Sequence, residues 1–529
     1  MVRYFLLFLF CITLLEGNIS LSYIEKYPPS RVRDFYIWQY LKQSNVSSKQ
    51  AKKVYELVQN KQNYKIKKLY AKLVNDEVRY EFTCKKKKDL FSIKDPKCLN
   101  FAFSLSKTKN FSSFQRKKLL KLPLSSYNKT LLKLQNEPYS FELYKKYKPD
   151  IVISYLLSLP KTKFEKYFNK NLTQDQVDFL ASASNFNRLV LRVVTDYSLT
   201  KLQRSFLHVK KKDLSFSTQF YLGLNALRLY HQRDAKKFFG YALKVAKKQP
   251  QKDKVLFWLY LTTKDNSYLK DLLLSMKINI YTLYAHDKYN VDIDNYFSEL
   301  ETKKKNSSYN LSDPFDWMEI KNTIAKTSKP MLFTLLEKYK YKNLQPVQRL
   351  ILEKAFNYKM HGYITPYKKY LKNLPEEKKI LIYSLMRQES DFIPCALSRS
   401  YALGLMQLMP FLVDHLAKKQ KEKIKNYDEL FQPQKNIQYA LLHLKWLEKV
   451  LDENPLYIAY AYNGGYGFFK RYRAQKRFQN EMYEPFMSME MMRNSESREY
   501  GKRVLSNYVM YNKVFKKDFS IVEFCEKLK

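Results

Sequence analysis

The residues best equipped for chemistry in this 529-residue chain lie in its last third. Glu389-Ser390 is followed by Ser398, by Gly404-Leu405-Met406-Gln407, and later by Ala461-Tyr462-Asn463-Gly464-Gly465-Tyr466-Gly467. The chain has only nine glycines, and three of them fall at 464, 465 and 467. Glycine is needed where φ is positive or where a ligand must approach the main chain. Its concentration beside Tyr-Asn, downstream of an isolated Glu, marks a built site. A lone carboxyl in that setting suits general acid catalysis.

The element that must position this carboxyl is a helix. Pro375-Glu376-Glu377 reads as its start, with acids facing the positive end of the dipole. Ile382, Leu385 and Met386 follow at i, i+3 and i+4, and Glu389 falls at i+7 on the same apolar face. A carboxyl held beside apolar groups titrates high, as a general acid near neutral pH requires. The plain alternative is an ordinary surface or ion-paired Glu, with Arg387 close by in sequence.

The rest of the chain bounds the setting. Its length exceeds a single core, and 45% hydrophobic with 28% charged residues is a foldable composition. The net charge of +46 fits three readings: phosphate binding, AT-rich codon usage, or attraction to an anionic polymer such as murein. Met1-Val2-Arg3 and the apolar run Tyr4 to Leu15 read as an export signal over residues 1–20, shorter than a spanning helix needs, with an uncleaved anchor as the alternative because the small-residue cleavage site is poor. Export argues against a nucleic-acid partner, and nothing later resembles a membrane span. No Cys-x-x-Cys pair occurs and the six histidines are scattered, so neither a metal site nor a cofactor is expected. Cys84 and Cys98 could pair or stay free.

Residues 21–305 read as helix after helix without a strict repeat, an irregular α-solenoid. Its clearest unit is a helical hairpin, with Phe220, Leu224, Leu227 and His231 on one helix. The other carries Ala235, Phe238, Phe239, Ala242, Leu243 and Ala246 on one face, with Asp234 as N-cap. The polar run from Lys303 to Ser308 opens a small helical linker domain over 306–365. Gly362 to Pro366 then opens a last domain over 366–529, long enough for its own core. The expected fold class is therefore all-α.

This last domain resembles the catalytic domain of the soluble lytic murein transglycosylases, a family with a goose-type-lysozyme-like α fold. The family's Glu-Ser, a Ser nine residues on, Gly-Leu-Met-Gln and Ala-Tyr-Asn-x-Gly appear in order as Glu389-Ser390, Ser398, Gly404 to Gln407 and Ala461 to Gly465. Glu490, then Glu496, Arg498 and Tyr500, resemble the family's closing stretch. Two departures are visible: Tyr401 stands where Gly is usual, and Met491-Met492-Arg493 stand where Ile-Pro-aromatic is common. The larger soluble members also carry a helical superhelix and a linker domain, and Trp258 and Tyr281 to Ala285 look like that superhelix.

The resemblance implies a periplasmic enzyme that cuts the MurNAc-β-1,4-GlcNAc bond of peptidoglycan and leaves a 1,6-anhydroMurNAc end. Glu389 would be the single acid and base. Ser398 would orient the substrate's N-acetyl group, Gln407 and Tyr462 would hydrogen-bond near the reacting sugar, and Met406 would line the groove. Asn463 would also bind substrate, with Glu496 in support. The glycan strands are the partner, with cell-wall proteins open as further ones. Two alternatives stand beside this: a hydrolytic muramidase on the same fold, with Glu496 placing a water, and a murein-binding scaffold without catalysis.

Overall fold

The computed structural model describes residues 19–303, 305–479 and 481–528, so nearly all of the segment read as an export signal lies outside the described residues. Among these, thirty α-helices are joined by one parallel pair of two-residue strands, Tyr296–Phe297 beside His361–Gly362. The all-α expectation holds. Among the described residues no helix is long and apolar enough to cross a membrane. The chain divides into two compact units, each built from segments distant in sequence.

Among the described residues, the first unit takes 19–83, 309–319 and 393–441. Helix Arg31–Tyr40 begins at Ser30, whose hydroxyl accepts from the Arg33 N–H and satisfies an otherwise orphaned donor. It buries Phe35 against Tyr401 and Phe431, with ring centroids 5.4 and 6.3 Å away. Tyr401, where the resemblance leads one to expect Gly, has φ +62°, a left-handed conformation that glycine adopts without strain. A tyrosine pays about 1–2 kcal/mol for that backbone. Full burial of its ring offsets this by about 1.5–3 kcal/mol. Its phenol accepts from Asn63 at 2.7 Å and donates to the Asp34 carbonyl at 3.3 Å. Arg31 and Lys65 donate to the carbonyls of Leu397 and Ser400. The loop from Leu397 to Tyr401 is thus held by the first helices of the chain.

The second unit takes the described residues of 84–308, 320–392 and 442–528. Its hairpin pairs Phe216–Arg228 with Gln232–Val245 as the periodicity requires. Gly223 lets the two helices close, because a Cβ there would meet the Phe239 ring at 2.5 Å. Trp258 from helix Gln249–Thr263 is fully buried beside Phe220 and Phe239. One detail differs: the second helix starts earlier than expected, at Gln232, so Asp234 sits in its first turn and His231 holds the N-cap position. Asp234 still faces the positive dipole end. Cys84 and Cys98 are joined in a disulfide.

Candidate active site

Helix Glu376–Ser390 buries Ile382, Leu385 and Met386 and carries Glu389 in its last turn. The helix ends at Asp391, which adopts the left-handed conformation at φ +53°. A set of charged partners fixes this end. Buried Arg349 donates to Glu353 at 2.9 Å and to Asp391 at 2.6 Å. Arg387 donates to Glu353, to Asn507 and to the Gly362 carbonyl. Arg387 therefore pairs with Glu353, and the ion-paired reading of Glu389 fails in that form. Two positions apart on a helix, Arg387 and Glu389 do not share a face.

Glu389 looks instead toward the long helix Ser495–Val514. The Tyr500 hydroxyl donates to Glu389 Oε1 at 2.7 Å. Gly501, next to Tyr500, lets helix Pro455–Gly464 pack close, since a Cβ there would meet the Tyr460 ring at 2.2 Å. That approach brings in Asn463, whose Oδ1 accepts from the Ser497 hydroxyl at 2.8 Å. Gly465, at φ +84°, ends this helix and starts Tyr466–Arg473. The positive φ accounts for glycine at 465.

The carboxyl opens on a cavity of about 400 Å³ lined by Gln388, Glu389, Asn463, Glu496, Tyr500 and Arg503, among others. Burial pushes Glu389 up from its ordinary 4.5 to about 8, the Tyr500 hydrogen bond opposes the rise, and the charge of Glu496 adds to it. Burial, and then the Glu389 charge, hold the Tyr462 and Tyr500 phenols well above their ordinary range. Both phenols are therefore protonated at neutral pH. Glu499, on the same cavity, is a different case. Burial raises it, but Lys502 and Lys254 outweigh burial and hold it well below the usual range. Lys254 and Lys502 also pair with fully buried Glu490, to which Tyr281 donates a hydrogen bond.

The nominated residues fall into two groups. Glu389, Tyr462, Asn463 and Glu496 belong to the second unit; Ser398, Met406 and Gln407 belong to the first. In the first unit, the Ser398 hydroxyl accepts from the Ala402 and Ser400 N–H groups. Gln407, at φ +47°, donates through its amide to the Ala396 and Gly404 carbonyls. Met406 is fully buried, and its N–H donates to Asn436. Gly404, at φ +80°, leaves room for Asn436, which a Cβ would displace. Tyr500 was not among the nominated residues, although the Glu-x-Arg-x-Tyr run contained the signal.

A family model described as the Transglycosylase SLT domain matches residues 368–484. A Haemophilus influenzae protein provisionally named a soluble lytic murein transglycosylase is 33% identical over 123 residues, 22% of this chain and 21% of its own. The membrane-bound lytic murein transglycosylase C of Edwardsiella ictaluri is 36% identical over 96 residues, 16% of this chain and 27% of its own. The matched span is thus about a fifth to a quarter of the length of these relatives. An inactive mutant of the lytic transglycosylase Slt from Pseudomonas aeruginosa has a similar fold. Its TM-score is 0.50 at 14% identity, over 94% of this chain and 79% of that one. The similarity to the transglycosylase SLT-domain family is thus carried by residues 368–484, less than half of the chain.

Proposed function

We propose that the protein is a murein lytic transglycosylase in which Glu389 is first the acid and then the base. The observation that carries this reading is a carboxyl pushed up to about 8, hydrogen-bonded by one tyrosine and open to a cavity. Such a group is mostly protonated at neutral pH and can donate to the glycosidic oxygen between MurNAc and GlcNAc. Once it has donated, it is a stronger base than an ordinary carboxylate. It then takes the proton of the MurNAc 6-hydroxyl, whose oxygen attacks the anomeric carbon and closes the 1,6-anhydro ring. The proton balance returns Glu389 to its acid form, and no water enters the product.

Tyr500 serves the second half of this cycle. Its hydrogen bond favours the ionised carboxylate and so supports the state left after proton donation. The substrate's N-acetyl group would stand in for the second carboxylate of ordinary glycosidases. The motifs assign Ser398 to orient that group, Gln407, Tyr462 and Asn463 to bind the sugars, Met406 to the groove and Glu496 to support. We assign residues 21–305 to an α-superhelical domain, 306–365 to a linker and 366–529 to catalysis, with export to the periplasm through residues 1–20.

Glu496 lines the same cavity, which keeps a hydrolytic muramidase as the second reading. Mass spectrometry of products from purified murein separates the two. Anhydro ends, lighter by one water than reducing ends, are expected; reducing ends alone would transfer the assignment to the hydrolase. Loss of all cleavage in Glu389→Gln excludes the scaffold reading, whereas cleavage within a fewfold of the parent would move the acid elsewhere.

A further inference from the structure

Tyr462 is the inner end of a row of rings that leads away from Glu389. His443 lies 5.6 Å from Tyr462 between ring centroids, and Trp446 lies 5.9 Å from His443 at an interplanar angle of 23°. Tyr466 meets Trp446 edge-on at 5.1 Å. All four rings belong to the second unit.

The row is a product of helix geometry. His443 and Trp446 are three residues apart on helix Pro433–Val450 and share a face. Gly465 breaks the next helix, and Tyr466 starts the one after it, against Trp446. Trp446 keeps 45% of its surface exposed. Single exposed aromatics need no explanation, and Phe114 and Tyr230 are more exposed still. Trp446 differs from them because it is in ring contact with two neighbours, and one of these, His443, meets Tyr462, the residue next to cavity-lining Asn463.

We propose that Trp446, backed by His443 and flanked edge-on by Tyr466, is a carbohydrate-stacking platform for a pyranose ring of the glycan strand, beyond the sugars at the cleaved bond. A pyranose presents a face of C–H groups with hydroxyls around its edge. A flat aromatic surface buries that face from water and leaves the hydroxyls solvated, the combination for which tryptophan and tyrosine suit wet interfaces. His443 adds no charge: burial pulls its pKa down to about 4, so it is neutral across the physiological range. The platform rests on the murein reading of the Glu389 site and extends it to longer strands.

The test uses the full chain carrying Glu389→Gln, so that binding is measured without turnover. Peptide-free murein glycan strands of four disaccharides, and the single disaccharide, are titrated calorimetrically. Adding Trp446→Ala or Tyr466→Ala is expected to weaken the long strands about tenfold, equally at low and high salt, and to leave the disaccharide unchanged. Adding Trp446→Phe is expected to keep affinity within about threefold, because a flat ring remains. Circular dichroism melting shows whether each variant is folded. Long-strand affinity within twofold of the parent in both folded alanine variants overturns the platform alone. Failure of the Glu389→Gln parent to bind any strand overturns the murein reading, and the platform with it.

Discussion

A carboxyl that titrates near 8 inside a folded protein destabilises the fold that holds it, and this cost can be measured. In Glu389→Gln the side chain keeps its shape and the amide oxygen can still accept from Tyr500, but nothing titrates. The gap between 4.5 and about 8 corresponds to about 5 kcal/mol at about 1.4 kcal/mol per pH unit.

The sign follows from proton counting. The folded-state pKa lies above the unfolded one, so between pH 4.5 and 8 the folded state keeps a proton that the unfolded state has released. Stability from this group is complete below pH 4.5 and is lost as pH rises through 8. Glutamine escapes that loss. The urea midpoints of parent and Glu389→Gln are therefore expected to differ by a small constant near pH 4.5. By pH 8 the variant should gain most of that roughly 5 kcal/mol and then level off. A gain equal at both pH values, or a variant no more stable at pH 8, would refute a raised carboxyl pKa as the basis of catalysis. Loss of activity alone would not reveal that error.

Three further perturbations test the supports of the site. Tyr500→Phe removes the hydrogen bond that favours ionised Glu389, so the alkaline limb of the kcat/KM profile should move to higher pH. Glu496→Gln removes a like charge and should move that limb lower; shifts in one direction for both would contradict the assigned causes. Glu353→Gln leaves buried Arg349 and Arg387 short of their carboxylate and should cost about 3–5 kcal/mol in urea unfolding. Tyr401→Gly relieves about 1–2 kcal/mol of backbone strain. It also empties a buried aromatic site worth about 3–5 kcal/mol, so a net loss is expected in thermal melting.

Much of the site was legible because it is local. The face formed by Ile382, Leu385 and Met386 placed Glu389 in its last turn, and the structure buries all three apolar residues. The hairpin around Phe220 and Phe239 was legible for the same reason: period 3.6 reports one helix at a time. What could not be read were pairings across distance. Tyr500 reaches Glu389 across 111 positions, and Arg387 chose Glu353 on another helix over its near neighbour. Tyr401 was visible as a departure from the family. Its left-handed backbone and its partners Asn63 and Asp34 were not, because they depend on residues more than 330 positions away.

Those distant partners bear on how far the chemistry is separable from the rest of the chain. Composition and length alone allow residues 366–529 their own core. Yet in the second unit the helix that carries Glu389 is held through Arg387 by Glu353, and through Asp391 by Arg349, both upstream of 366. Glu490 and Glu499 are likewise held by Lys254, which comes from the solenoid segment. In the first unit, Phe35, Asn63 and Arg31 hold the loop that bears Ser398. Buried charges left without partners cost several kcal/mol each, against a typical domain stability of about 5–15 kcal/mol. Cutting the chain at 366 would remove several such partners at once. The upstream helices therefore supply buried contacts on which the segments bearing Glu389 and Ser398 depend.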